Sequence, residues 1–181
     1  MSLAMDDLYH EHETISAAIR ILERMTADIK KSARVNAADM QAFIDFVKEF
    51  ADRCHHSKEE QYLFPAMEAS GVQNEGGPIG VMLAEHAQAR QVIGKMEASL
   101  AAGDLAGLRR AAGQYAVLLR VHIRKENTEY FPLAEKVLNE VQLETMYAGF
   151  EDLEQNVIGE GRQAQLHAVL KHLEEKYAPD S

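Results

Sequence analysis

Apolar residues recur at spacings of three and four along almost the whole chain, and this periodicity restricts the fold more than any other feature. Four such segments, at about residues 5–30, 37–68, 79–101 and 105–138, are separated by short breaks. Their apolar stripes are Leu8, Ile15, Ile19, Leu22 and Ile29; Ile44, Val47 and Ala51; Ile79, Met82, Leu83 and Ile93; and Leu108, Tyr115, Leu118 and Leu119. Asn36 and Asp104 stand where helix N-caps belong. Gly71–Pro78 is the clearest loop. Two shorter amphipathic segments follow, near residues 140–155 and 161–177. Four long helices with short links predict an all-α, up-down-up-down four-helix bundle over residues 1–138. The two C-terminal helices of residues 139–181 are expected to pack on that same domain.

With 181 residues the chain is long enough to bury a core without staples, and a single cysteine, Cys54, excludes an internal disulfide framework. A net charge of −10, from 29 acidic and 19 basic residues, argues against nucleic-acid binding. No apolar run approaches the roughly 18 residues of a membrane span. The first residues lack a basic start and an apolar stretch, so no signal peptide is expected. These features describe a soluble, cytoplasmic, acidic protein.

The chain repeats itself. His55-His-Ser-Lys-Glu59-Glu-Gln-Tyr-Leu-Phe64-Pro65 returns as His122-Ile-Arg-Lys-Glu126-Asn-Thr-Glu-Tyr-Phe131-Pro132, 67 residues later, on the pattern H-x-x-K-E-x-x-x-x-F-P. Glu11-His12 returns as Glu85-His86, 74 residues later. Each half therefore carries a lone His on its first helix and an H-x-x-x-E on its second. His12, His86 and His122 are in register with their helices' apolar stripes, and residues at i and i+4 are surface neighbours, which carries Glu126 inward with His122. A single buried His is ordinary. Two inward carboxylates are not, because a buried carboxylate needs a partner. Four His and two Glu in one repeated constellation need positive charge between them, and a pair of metal ions meets all six at once. Imidazole and carboxylate without thiolate suit iron, manganese or zinc. Six ligands exceed one tetrahedral zinc. Shared between two metals, with both carboxylates bridging, they leave an open position for O2, peroxide or NO.

The Glu-x-x-His of ferritin-like di-iron proteins is absent. With H-x-x-x-E in its place, the chain resembles the hemerythrin-like, HHE cation-binding family. Glu11-His12, residues 55–68, 82–90 and 122–135 carry the resemblance, and residues 150–159 look like the tails of bacterial members. The resemblance implies two iron ions in a bridged, non-haem centre, with His12, His55, Glu59, His86, His122 and Glu126 as ligands and the two Glu as bridges. Other divalent metals are compatible with the same donors. Oxygen-carrying hemerythrins have a fifth His four residues from another on the third helix. Here Met82 and Arg90 occupy those positions. The pattern thus looks more like members that sense O2 or iron, decompose peroxide, or handle NO and repair iron centres, with a small diatomic or peroxide as the ligand. That open sphere favours peroxide chemistry over stable O2 carriage. Peroxidase-like, catalase-like or NO-handling turnover stays open, as does a protein partner or second copy at the C-terminal helices. Iron storage and a metal-free interaction module are the alternatives.

Both His55/Glu59 and His56/Glu60 satisfy H-x-x-x-E. The repeat aligns His55 with His122. Stepping back from His56 in helical phase meets Arg53, Asp52, Glu49 and Asp45, which predicts that His56 and Glu60 face solvent. His10 reads as solvated, His167 and His172 as tail residues without a metal site, Cys54 as a structural thiol, and Arg90 as a partner for an outer Glu or simply solvent-facing.

Overall fold

The structure is a computed structural model that describes residues 2–178; the expected domain bounds reach beyond it at Met1 and at 179–181. Among the described residues there are six helices and no strand. Helix α1 is Leu3–Ser32. Helix α2 spans 37–69 and is continuous; its ends, Ala37–Phe46 and Phe64–Ala69, are α-helical, and Val47–His56 and Glu59–Leu63 are π-helical. Helix α3 is Pro78–Ala101. Helix α4 spans 105–137, with a π-helical Glu126–Tyr130 between Leu105–Lys125 and Phe131–Val137. Helix α5 spans 140–159, with Leu153–Gly159 π-helical, and α6 is Arg162–Lys176. The Asn36 side chain accepts from the Asp39 amide and that of Asp104 from the Gly107 amide, so both expected caps form.

Two of the four π segments, Glu59–Leu63 and Glu126–Tyr130, have a local cause. Each F-P pair lies inside a long helix, where proline lacks an N–H and its ring crowds the carbonyl four residues back. The turn before it widens: the Phe64 amide bonds to the Glu59 carbonyl and the Phe131 amide to the Glu126 carbonyl, five residues apart rather than four. The widened turns are the ones that carry the two glutamates.

Side-chain pairs run in opposite directions along each neighbouring pair of long helices. Lys58 meets Asp7 and His55 meets Glu11; Glu60 meets His86 and Lys48 meets Glu97. Glu85 meets His122, and Arg120 meets Glu23 where His12 meets Glu126. The apolar interior divides into two clusters. One holds Ile15, Ile19, Phe43, Phe50, Ala89 and Leu119; the other holds Leu8, Leu63, Phe64, Met82, Phe131 and Phe150. Each long helix contributes to both, and the His and Glu residues lie between them.

Helices α5 and α6 lie against α1 and α2. Gly149 of α5 sits on the Tyr62 ring of α2, where an added Cβ would fall 2.3 Å from a ring carbon. Gly149→Ala should therefore destabilise the fold by about 1–3 kcal/mol through overpacking, against a helix-propensity gain of about 1 kcal/mol. Chemical denaturation should show the loss, and adding Tyr62→Ala should recover much of it. Unchanged or raised stability in Gly149→Ala alone would mean α5 does not seat there.

Candidate metal centre

Between the two apolar clusters, all six residues expected from the sequence are buried and face one another. His12, His55, His86 and His122 are joined by Glu59 and Glu126, both fully inaccessible. The carboxylates divide their oxygens between two histidine groups. Glu59 Oε1 lies 3.6 Å from His55 Nε2, and its Oε2 lies 3.2 Å from His86 Nε2. Glu126 Oε2 lies 3.1 Å from His12 Nε2, and its Oε1 lies 3.2 Å from His122 Nε2.

His56 departs from expectation. It is only 2% exposed, stacks on His86 with centroids 3.8 Å apart, and joins Glu59, His86 and His122 in one group of converging donors. His12, His55, Glu59 and Glu126 form the second such group, so Glu59 belongs to both. Counting helical phase at 100° per residue placed His56 on the solvated side. The π-helical Val47–His56 turns through less per residue, and both consecutive histidines point inward. Glu60 is half-buried rather than exposed, because it too serves the centre.

Every inward imidazole is held from behind. His55 Nδ1 meets Glu11 at 2.8 Å, His86 Nδ1 meets Glu60 at 2.7 Å, and His122 Nδ1 meets Glu85 at 3.0 Å. His12 Nδ1 meets the Asn127 side-chain oxygen at 2.6 Å, and His56 Nδ1 meets Asp52 at 3.3 Å. These oxygens only accept, so each Nδ1–H donates and each Nε2 is left to face the centre. The duplication explains the pattern. The Glu of each E-H pair holds the His of the neighbouring H-x-x-x-E, and the residue after each bridging Glu holds the lone His. The conserved-in-repeat Lys58 and Lys125 bind Glu11 and Glu85 in turn. Phe131 stacks on His12 and Phe64 on His86, so each F-P pair also closes the apolar wall of the centre.

The fit to metal is tested by what the inward atoms lack. Nε2 of His12, His55 and His56 and all four oxygens of Glu59 and Glu126 are buried without a hydrogen-bond partner. Orphaned buried acceptors on this scale are costly. They form a set of lone pairs converging on two points, which suits a pair of cations with N and O preference. A further group, Glu11, Cys54 and Glu154, also converges, but there the fully buried Lys58 ammonium lies 2.8 Å from Glu11 and 2.5 Å from both Asp7 and Glu154. That cation occupies the role a metal would take. Burial pushes the Cys54 thiol well above its ordinary value, as for an inert structural cysteine. His10 is exposed beside Glu13.

The comparisons with known proteins agree with this geometry. The hemerythrin HHE cation-binding domain matches residues 3–134. The chain belongs to that family. Two uncharacterized proteins of Mycobacterium tuberculosis and one of Mycobacterium bovis are each 25% identical to it over 163 residues, 87% of this chain. The chain spans 63% of the length of these curated relatives. No solved structure matches it. No helix among the described residues is long and apolar enough to cross a membrane.

Without metal, protons compensate part of the buried charge. Burial opposes charging of His86, but the Glu59 and Glu60 carboxylates outweigh it and raise the imidazole to about 9. Burial holds His55 and His56 well below the ordinary range, hence neutral. A folded value above the unfolded one of about 6.5 stabilises the protein at low pH, and that stability is lost as pH rises through the folded value. Chelator-treated protein should therefore melt at progressively lower temperature between about pH 6.5 and 9, above the range in which His55 and His56 matter. A flat or rising melting temperature in that window would show that the carboxylates do not hold His86 charged.

Proposed function

We propose that this chain holds two iron ions and uses them to bind or react with a small ligand, O2, peroxide or NO, in a cytoplasmic sensing, detoxification or iron-centre-repair role. One observation carries the reading: two groups of imidazoles share both oxygens of two buried carboxylates. His12 and His55 would hold one ion, His56, His86 and His122 the other, and Glu59 and Glu126 would bridge them. A bound iron pair supplies one- and two-electron chemistry and an exchangeable coordination position. The chain's own residues fix the imidazoles by their Nδ1–H bonds and exclude bulk water with Phe64, Phe131 and the two apolar clusters; burial opposes the charge of Glu126, but the neighbouring His122 and His12 outweigh it and lower its carboxyl. A cleft lined by Tyr9, Glu13, Ser16, Arg20 and Asn127 reaches His12 from the surface, and is an approach for a small molecule.

The ligand count changes one expectation. Peroxide chemistry was favoured over O2 carriage because no fifth His stands at 82 or 90. His56 supplies a fifth imidazole from α2, so the preference loses its basis, and the choice among the three ligands falls to experiment.

Protein loaded anaerobically with Fe(II) should bind two ions per chain. Exposure to O2, peroxide and NO in separate samples should change the near-ultraviolet and visible spectrum with at least one of them. One ion per chain, or a spectrum indifferent to all three, would sink the proposal. Glu126→Gln should abolish the rise in melting temperature that metal produces. It should change the metal-free melting temperature little, since it removes a buried charge. Both His55→Ala and His56→Ala should lower metal content.

A further inference from the structure

The duplication that builds the centre is broken around His56. At the 67-residue offset His56, Asp52 and Glu60 correspond to Ile123, Leu119 and Asn127, and at the 74-residue offset Arg90 corresponds to Ser16. These four residues, each different in the other half, are joined by side-chain contacts. The Arg90 Nε donates to Asp52 at 2.7 Å and its Nη2 donates to Glu60, also at 2.7 Å. Asp52 in turn receives His56 Nδ1–H, and Glu60 receives His86 Nδ1–H. The two rings so held are stacked 15° from parallel.

The geometry points to Arg90 as the positioning residue that holds His56 and His86 together as one half of the centre; this rests on the dinuclear reading above. Three features support it. The His56–Asp52 contact, at 3.3 Å, is the longest of the five that hold the imidazoles. Asp52 and Glu60 are each about a quarter exposed, free to turn to water if nothing ties them. A guanidinium presents two N–H groups in a fixed plane and spans two carboxylates, which an ammonium cannot do in the same way. In the half that lacks the clamp, the corresponding Ser16 and Asn127 line the cleft beside His12 instead. The clamp thus closes one half of the centre and leaves the other reachable.

The test is a cobalt(II) titration of the full chain, followed by visible absorption and by metal analysis. Wild type should bind two ions. Arg90→Gln should weaken one binding step about 10–100-fold, the usual cost of losing a group that orients a ligand, and leave the other step within a few-fold. His56→Ala should weaken the same step, and the double variant should lose less than the two single losses combined. Arg90→Lys should behave as Arg90→Gln, whereas a role of charge alone would be rescued by Lys. Arg120→Gln, which removes an exposed Arg–Glu pair with Glu23 away from the centre, should titrate as wild type. Two unaltered steps in Arg90→Gln, or equal weakening of both, overturns the inference while the dinuclear reading stands. Fewer than two ions in wild type overturns both.

Discussion

Glu59 and Glu126 are two anions buried side by side, and the rest of the structure is arranged around the cost of that. Desolvating a carboxylate costs several kcal/mol even after relaxation, comparable to the whole net stability of a domain, about 5–15 kcal/mol. Each oxygen has an imidazole nitrogen within 3.6 Å but none makes a hydrogen bond. Protonation of His86 offsets part of the charge when metal is absent. A pair of cations would offset it fully. Metal binding there would therefore be coupled to folding, at the centre of the bundle where the two apolar clusters meet.

The helices and their caps were legible because apolar period and cap chemistry are local. The six repeated residues were legible because duplication marks positions that a single pattern would leave ambiguous. His56 was not, for a reason that is also local. Its phase was counted as if α2 were α-helical throughout, and the turn that carries it is wider. The proline ten and nine residues after the two histidines marks a helix that must widen somewhere, and the same F-P follows Glu126. Read that way, the doublet His55-His56 is a signal. Asp52 stands among the polar residues that mark a solvated face in α-helical phase, and Glu60 reads as solvent-facing, yet they are the acceptors that hold His56 and His86.

The residues behind the imidazoles show why sequence spacing alone could not assign them. Glu11 holds a histidine on α2 and Glu85 one on α4, while Asn127 and Glu60 hold histidines on α1 and α3. Each of these four bonds crosses between helices, so none of them appears as an i, i+4 pair; only the fifth, His56 to Asp52, does. The duplicated lysines complete the pattern: Lys58 and Lys125 satisfy the outer oxygens of Glu11 and Glu85. Where the two halves agree, the contact supports the shared bridge. At four of the positions where they disagree, His56, Asp52, Glu60 and Arg90, the contacts fall on one side.

Lys58 extends that logic beyond the four long helices. Its ammonium is fully buried and bonds Asp7 and Glu11 on α1 and Glu154 on α5, above the face of Phe150. Burial alone would lower its charge affinity, but Glu11 and Asp7 outweigh it and keep it protonated. Its repeat mate Lys125 is partly exposed and binds only Glu85. Of the two added partners of Lys58, Asp7 comes from α1 and Glu154 from the C-terminal segment. Glu11 accepts from both Lys58 and His55, so the attachment of α5 and the orientation of an inward imidazole depend on the same carboxylate. The C-terminal helices are for this reason part of the centre's support: without Glu154, the buried ammonium would lean more heavily on the carboxylate that positions His55.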